Sequence, residues 1–504
     1  MKELFLKNKN KIHFCLEILM AYLSTFGLSS MLKVPNNTYF ISNSIFSFII
    51  FIALIYLYKK IYSKQINKRL ITISLIYGFF FSVFLNFGAS IIREDFDAML
   101  TLKGIIKILC GTPLMTTLTI ILFEGIEFTT SELNGNMSIT KCSFIHISSS
   151  KIRFLIVWIL IFLAWLPGLI ASYPGIFGYD GIYQLNYYYT NMVYTHHPVI
   201  HTYLLGFCIW TLGNLFGNLQ IGLFIYSIIQ MIILSFAFTF VVKYVGEKSN
   251  EIIQIITLFL LMFLPTNAIM SFSTTKDIIY TAFFALMVLM MLKIVEKPEL
   301  LKNYKYLILL ILVSFMQIIF RSAGKYVFIF MMICAFIFLK KYWKNLLIIL
   351  IVVLSLNFIY TGPIYKALNV IQEDSIHEMM SVPASQLARA YIDNDYELTE
   401  EQKKEIENYI PDCKNYYIGC AISDNVKNNF NSEYFKENPV NFFKLWINVG
   451  KIAPKTYIKA FTRLTIGLWY PDMNYRDKQA YHPYWEYLSL RRNGKLYYNK
   501  PYNS

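Results

Sequence analysis

Long apolar stretches recur along the chain, separated by short polar segments. Eleven of them, at 13–33, 39–58, 70–90, 104–124, 154–172, 219–243, 252–271, 278–295, 305–320, 326–340 and 345–361, read as helices that cross a bilayer. A helix needs about 20 apolar residues to cross a hydrocarbon core roughly 30 Å thick. A β-barrel would instead read as short segments of alternating polarity. The pattern therefore predicts an all-α polytopic membrane protein with about 11 transmembrane helices. It divides into N-terminal helices over 1–150 (about four spans), a transmembrane core over 151–361 with one large loop at 173–218, and a more polar C-terminal region over 362–504.

The charges between the stretches orient them. Lys2, Lys7, Lys9 and Lys11 precede the first; Lys59, Lys60, Lys64, Lys68 and Arg69 follow the second; Lys141, Lys151 and Arg153 precede the fifth. Lys243 and Lys248, then Lys293, Lys297, Lys302 and Lys305, then Lys340, Lys341 and Lys344 continue the series. All fall on one side if the N-terminus is cytosolic, as the positive-inside rule requires. The opposite loops, 34–38, 91–103, 173–218, 272–277 and 321–325, carry fewer cations. This bookkeeping needs 198–217 to lie on the outer surface as an amphipathic helix, with Pro198 in its first turn. The same topology puts 362–504 outside the cell membrane. There Thr399 and Gln402 form a capping-box pattern ahead of a helix. Residues 440–469 alternate apolar positions with Lys444, Lys451, Lys455, Lys459 and Arg463, as in a helix resting on a membrane.

Composition agrees. Of 504 residues 56% are hydrophobic and 15% charged, which excludes an ordinary soluble domain. The net charge of +15 sits between the spans, so it marks lipid headgroups and cytosolic loops; no nucleic-acid partner is expected. The seven cysteines show no metal-ligand spacing, while Cys413 and Cys420 lie close enough for either a disulfide or two free thiols. No phosphate-cradling glycine loop is present.

The candidate chemistry lies in the outer loops. Tyr179, Asp180 and Gly181 follow Gly175 and Gly178, and a lone carboxylate at a membrane face suits a general base. On a helix Gln184 shares a face with Asp180, and Tyr187 with Tyr183. The tyrosines suit sugar stacking or an aromatic belt. His196, His197 and His201 follow; His197 and His201, four apart, are a potential metal pair or interfacial polar side chains. No cofactor is indicated with certainty, and a divalent metal stays open. Lys276 and Asp277 occupy the 272–277 loop, where ionisable groups at membrane depth favour function over anchoring. Arg321 and Lys325 occupy the next outer loop; a guanidinium there matches phosphate geometry, and snorkelling is the alternative.

At these residues the chain resembles the GT-C-fold glycosyltransferases, including the protein O-mannosyltransferases, and most closely a group of Gram-positive membrane proteins of that type. Tyr179-Asp180 followed by His197-Pro198 is similar to their acidic first outer loop and His-Pro juxtamembrane helix. The likeness covers roughly 150–470. It departs where Gly181, not an acidic residue, follows Asp180, and where about four helices precede the core. The resemblance implies a GT-C-like fold, a polyprenyl-phosphate-linked sugar donor, and a cell-envelope glycan, lipid or protein acceptor. Asp180 would be the catalytic base and Arg321 the phosphate contact. Tyr179, Tyr183, Gln184, His196, His197, Lys276, Asp277 and Lys325 would line the substrate site. A lipid or polysaccharide transporter and an inactive envelope-assembly scaffold are the alternatives. Sugar, acceptor, stereochemistry and oligomeric state are not legible.

Overall fold

The computed structural model of the chain describes residues 2–31, 45–93, 96–131, 151–249, 251–416, 423–471, 487–490 and 496–499. The 34–38 loop, Lys141 and Cys420 lie outside them, while Cys413 is buried. The described chain is helical apart from one antiparallel hairpin, β1 (Tyr487–Leu490) with β2 (Leu496–Asn499), in which Tyr487 pairs with Asn499.

Among the described residues, helix occupies most of each of the eleven predicted stretches. Eight helices among the described residues are long and apolar enough to cross a membrane, and nine if one bent pair counts as a span. Four are α1 (Lys2–Met31), α2 (Ile45–Tyr62), α3 (Lys68–Ile92) and α4 (Leu102–Ser131). The others are α5 (Lys151–Ala171), α8 (Leu219–Lys248), α11 (Lys276–Glu296) and α14 (Lys340–Ala367). The bent pair is α9 (Glu251–Phe263) and α10 (Pro265–Ser271), which turn by 53°. Pro265 explains the break, because its ring removes an N–H and clashes with the preceding turn. The stretches at 305–320 and 326–340 are α12 (Tyr304–Phe320) and α13 (Gly324–Phe338), of 17 and 15 residues. Large apolar side chains stay exposed along these helices, such as Phe46, Ile49 and Ile52 on α2. In water that exposure would be costly; in lipid it is what a span requires. The chain is a multi-pass membrane protein.

Two compact units divide the chain. One takes Met1–Phe128 with Asp374–His482; the other takes Thr129–Glu373 with Pro483–Ser504. The N-terminal helices and the C-terminal region, read as separate domains from sequence, thus share one unit. In it Ile466 and Tyr470 pack against Ala89, Ile91 and Phe96. The C-terminal core gathers Leu387, Tyr409 and Phe442. Its helices include α15 (Ser381–Asp393) and α16 (Glu400–Tyr409), the latter starting with the expected Thr399–Gln402 capping box. The 440–469 stretch is two helices, α17 (Pro439–Ile452) and α18 (Pro454–Trp469), divided at Pro454 for the reason given above.

The second unit is built around α8. Its Met231, Leu234 and Ala237 pack with Trp165 and Leu169 of α5, and with Phe272 and Ala282. Between α5 and α8 lie α6 (Tyr179–Tyr189) and α7 (Val199–Leu215). The α7 helix matches the predicted 198–217 element and falls short of span length. Pro198 caps it instead of entering its first turn. It is more embedded than a helix lying on a surface, with Val199, His201, Leu205, Cys208 and Ile209 buried. Gly222 on α8 meets the backbone of Cys208 and Ile209, so any Cβ there would force α7 and α8 apart.

Candidate functional site

A short parallel pairing builds the site. The Ile176 N–H donates to the Phe272 carbonyl at 3.1 Å, and the Thr274 N–H donates to the Ile176 carbonyl at 3.0 Å. The Gly178 N–H donates to the Thr274 hydroxyl oxygen at 2.7 Å. Gly175 supplies the backbone the turn needs: its φ is +130°, and Ser227 leaves no room for a Cβ. Each paired strand then starts a helix, α6 at Tyr179 and α11 at Lys276. Asp180 and Lys276 are thereby brought side by side from 96 residues apart.

Lys276 is the hub. Its Nζ donates to Asp180 Oδ2 at 2.9 Å and to His197 Nδ1 at 3.2 Å. Asp180 Oδ2 and His197 Nδ1 are themselves 3.9 Å apart. Burial acts to raise the Asp180 carboxyl, but the Lys276 ammonium outweighs it and holds the group below the ordinary carboxylate range. Burial, reinforced by Lys276, lowers His197 to about 4 against the pull of Asp180. His197 is therefore neutral at pH 7. Since Lys276 donates to Nδ1, the imidazole proton sits on Nε2. Lys276 also lies at the positive end of α11, an unfavourable place for a cation that the Asp180 carboxylate offsets.

Asp277, one residue on, pairs with Arg321, the C-cap of α12. The Arg321 guanidinium also lies over the Tyr280 ring at 5.7 Å. Lys325 stands over Tyr326 at 5.0 Å, and no contact joins it to this group among the described residues. His196 Nδ1 lies 3.6 Å from Glu373 Oε2. Tyr183 is exposed; the Tyr179 side chain lies outside the described part.

Gln184 sits differently from a substrate contact, because it is fully buried one turn below Asp180. The two ends of its side-chain amide lie 3.2 Å from Thr202 Oγ1 and 3.1 Å from His201 Nδ1. His201 Nε2 is 2.7 Å from the Tyr226 hydroxyl, which donates to Gln230 Oε1 at 2.8 Å. Gln230 Nε2 donates to the Ser271 carbonyl at 3.0 Å and the Ser273 carbonyl at 2.6 Å. These carbonyls fix the Gln230 amide, so Tyr226 must donate to it and must accept from His201 Nε2–H. The bare Nδ1 of neutral His201 then accepts, so the Gln184 amide presents its nitrogen to Nδ1 and its oxygen to the Thr202 hydroxyl, which donates to it. With both ring nitrogens engaged by protein, His201 does not pair with His197 as a metal ligand. Among the described residues no group of three or more His, Cys, Asp or Glu is arranged to hold a metal.

Sequence reasoning missed Tyr226, Gln230 and Thr274. The first two had a signal: polar residues four apart inside an apolar span face one neighbour. Thr274 had none, because its role depends on the pairing of two distant loops.

Comparison with curated proteins and with solved structures returned no match. One protein family, described as "Family of unknown function (DUF6020)", matches residues 189–493. The match begins ten residues after the start of α6. It takes in His196, His197, Lys276, Asp277 and Arg321 and leaves Asp180 just outside. Covering well over half of the chain, from α7 through the C-terminal helices, it makes this protein a member of the DUF6020 family.

Proposed function

We propose that this protein is a membrane glycosyltransferase that moves a sugar from a polyprenyl-phosphate donor to a cell-envelope acceptor on the outer face. The observation that carries the reading is the meeting of Asp180, Lys276 and His197 from separate loops at the starts of two helices. In this reading the bilayer is the cell membrane, the N-terminus is cytosolic, and α12, α13 and the bent α9–α10 pair are also spans. That restores eleven spans and a GT-C-like core.

At rest Asp180 is a weak base because Lys276 holds it. A donor phosphate offers Lys276 a second anion. If Lys276 turns to it, burial alone acts on Asp180 and raises its proton affinity. The acceptor hydroxyl then gives its proton to Asp180 as its oxygen bonds to the anomeric carbon. The bond from that carbon to the phosphate oxygen breaks, and polyprenyl phosphate leaves with the electron pair. Arg321, paired with Asp277 next to Lys276 in the chain, would be the second cation for the leaving phosphate. Tyr183 offers a ring for the sugar.

A transporter of lipid or glycan is the second reading. The 53° break between α9 and α10 favours it, since broken helices are a transporter device. Against it, Asp180, Lys276 and Asp277 all stand at helix starts and not in mid-span. Mass spectrometry of envelope glycans and a liposome transfer assay with Asp180→Asn separate the readings. A transferase loses product; unchanged glycans with lipid movement lost would favour transport, and no effect on either would favour a scaffold.

A further inference from the structure

In the first unit, α17 carries two apolar stripes on opposite faces. Phe442, Leu445 and Val449 are buried in the C-terminal core. Val440, Phe443 and Ile447 repeat the same i, i+3, i+7 spacing and are exposed. A helix at the surface of a water-soluble body needs only the first stripe. Lys444 and Lys451 stand along the edge of the second, seven residues apart and so one above the other. α18 continues the arrangement: Thr456, Tyr457 and Ala460 point inward, while Ile458, Phe461 and Leu468 are exposed, with Lys455 one turn before Ile458. Lys444, Lys451 and Lys455 form no ion pair among the described residues.

Packing within the unit sets the level of this surface. The last turn of α18 is seated on the last turns of the span α3. Trp469 lies 5.8 Å from Phe84, ring to ring, and Tyr470 fills the space left by Gly88, where a Cβ would collide with it. Lys459 reaches Asp97, just beyond the end of α3, at 3.7 Å. A Trp-Tyr pair against the end of a span is the side-chain chemistry of the membrane–water boundary. α18 therefore ends at that boundary.

We propose that α17 and α18 form a membrane-docking surface: Val440, Phe443, Ile447, Ile458 and Phe461 enter the headgroup–acyl boundary, and Lys444, Lys451 and Lys455 bind anionic lipid phosphates. The occupant is the lipid leaflet at the end of α3. Apolar contact supplies the anchoring, and the lysines supply a preference for anionic lipid of about five-fold per charge.

The test uses the full chain in nanodiscs of phosphatidylcholine with or without phosphatidylglycerol. The photo-crosslinker p-benzoylphenylalanine is placed at position 443 or 461, both exposed aromatic sites. Mass spectrometry is expected to find lipid adducts at both positions, with a yield roughly five-fold or more higher in the anionic discs. The triple variant Lys444→Glu, Lys451→Glu, Lys455→Glu is expected to abolish that increase. Crosslinks to a second copy of the chain, or no lipid adduct, would overturn the proposal. So would equal yields in the two lipids, since the lysines would then select nothing.

Discussion

Two polar clusters one helical turn apart behave in opposite ways. Asp180 and Gln184 are four residues apart on α6; His197 and His201 are four apart around the start of α7. The outer members, Asp180 and His197, meet at Lys276, with Asp180 39% exposed and the charges of a carboxylate and an ammonium in play. The inner members, Gln184 and His201, meet each other, Thr202 and Tyr226, all buried and neutral. A single turn of depth separates a group whose partners can be exchanged from one whose hydrogen bonds are complete. Like residue types took different roles because water, and with it any ligand, reaches only the outer layer. The inner layer also ties α6, α7 and α8 to the 271–273 carbonyls, so it holds the outer one in register.

The sharpest way to break this contrast is Asp180→Asn. Sugar transfer should fall by about 10²–10⁴-fold, the usual worth of a general base, while thermal stability in detergent stays near wild type. Unchanged transfer would remove Asp180 from the chemistry. His201→Leu should do the reverse. It removes one buried hydrogen-bond partner each from Gln184 and Tyr226 and costs on the order of 2–3 kcal/mol of stability, read as a lower Tm. A Tm as unperturbed as that of Asp180→Asn would end the distinction between the layers.

Next comes pH. His197 is lowered to about 4 in the fold, against about 6.5 when unfolded. Between those values only the unfolded chain binds the proton. Stability should thus be full above about pH 6.5 and fall as the pH drops toward 4, by on the order of 3 kcal/mol. His197→Gln should flatten that slope in Tm against pH; an unaltered slope would contradict a buried neutral His197. Asp180 has the opposite kind of shift. Its carboxyl is held below its ordinary value, so its pairing stabilises above about pH 3.9 and fades as the pH falls through the lower folded value. Lys276→Met leaves burial alone, which raises the carboxyl and reverses the sign. The loss should be about 0.5–1 kcal/mol near neutral pH, because Asp180 is partly screened by solvent. A loss of similar size is expected of Thr274→Val, which removes the acceptor for Gly178 N–H. It should cost about 1 kcal/mol and reduce transfer through a displaced Asp180, whereas wild-type transfer would show that the loop pairing is not what positions the carboxylate.

Much of this was legible in the chain. Among the described residues the predicted apolar runs are mostly helix, and eight reach span length, because a helix satisfies its own backbone whatever its neighbours are. The capping box at Thr399 and Gln402 held for a similar reason: its two hydrogen bonds are local. Asp180, His197 and Lys276 stood out as ionisable groups in outer loops. Gln184 and His201 looked equivalent to them, and nothing in spacing could separate the two sets. Their difference is one of depth, set by α8 passing behind them with Tyr226 and Gln230.

The sequence by itself determined the membrane class, the helical segments and the short list of polar residues worth considering, since hydrophobic length, local capping and charge act over a few residues. Only the tertiary structure decided which of those polar residues meet. The parallel pairing at Ile176 joins loops 96 residues apart in effect, and the seat of Tyr470 on Gly88 joins the C-terminal helices to the N-terminal spans. Such contacts depend on which helices pack together, and that follows from the fit of whole surfaces, which no local pattern records.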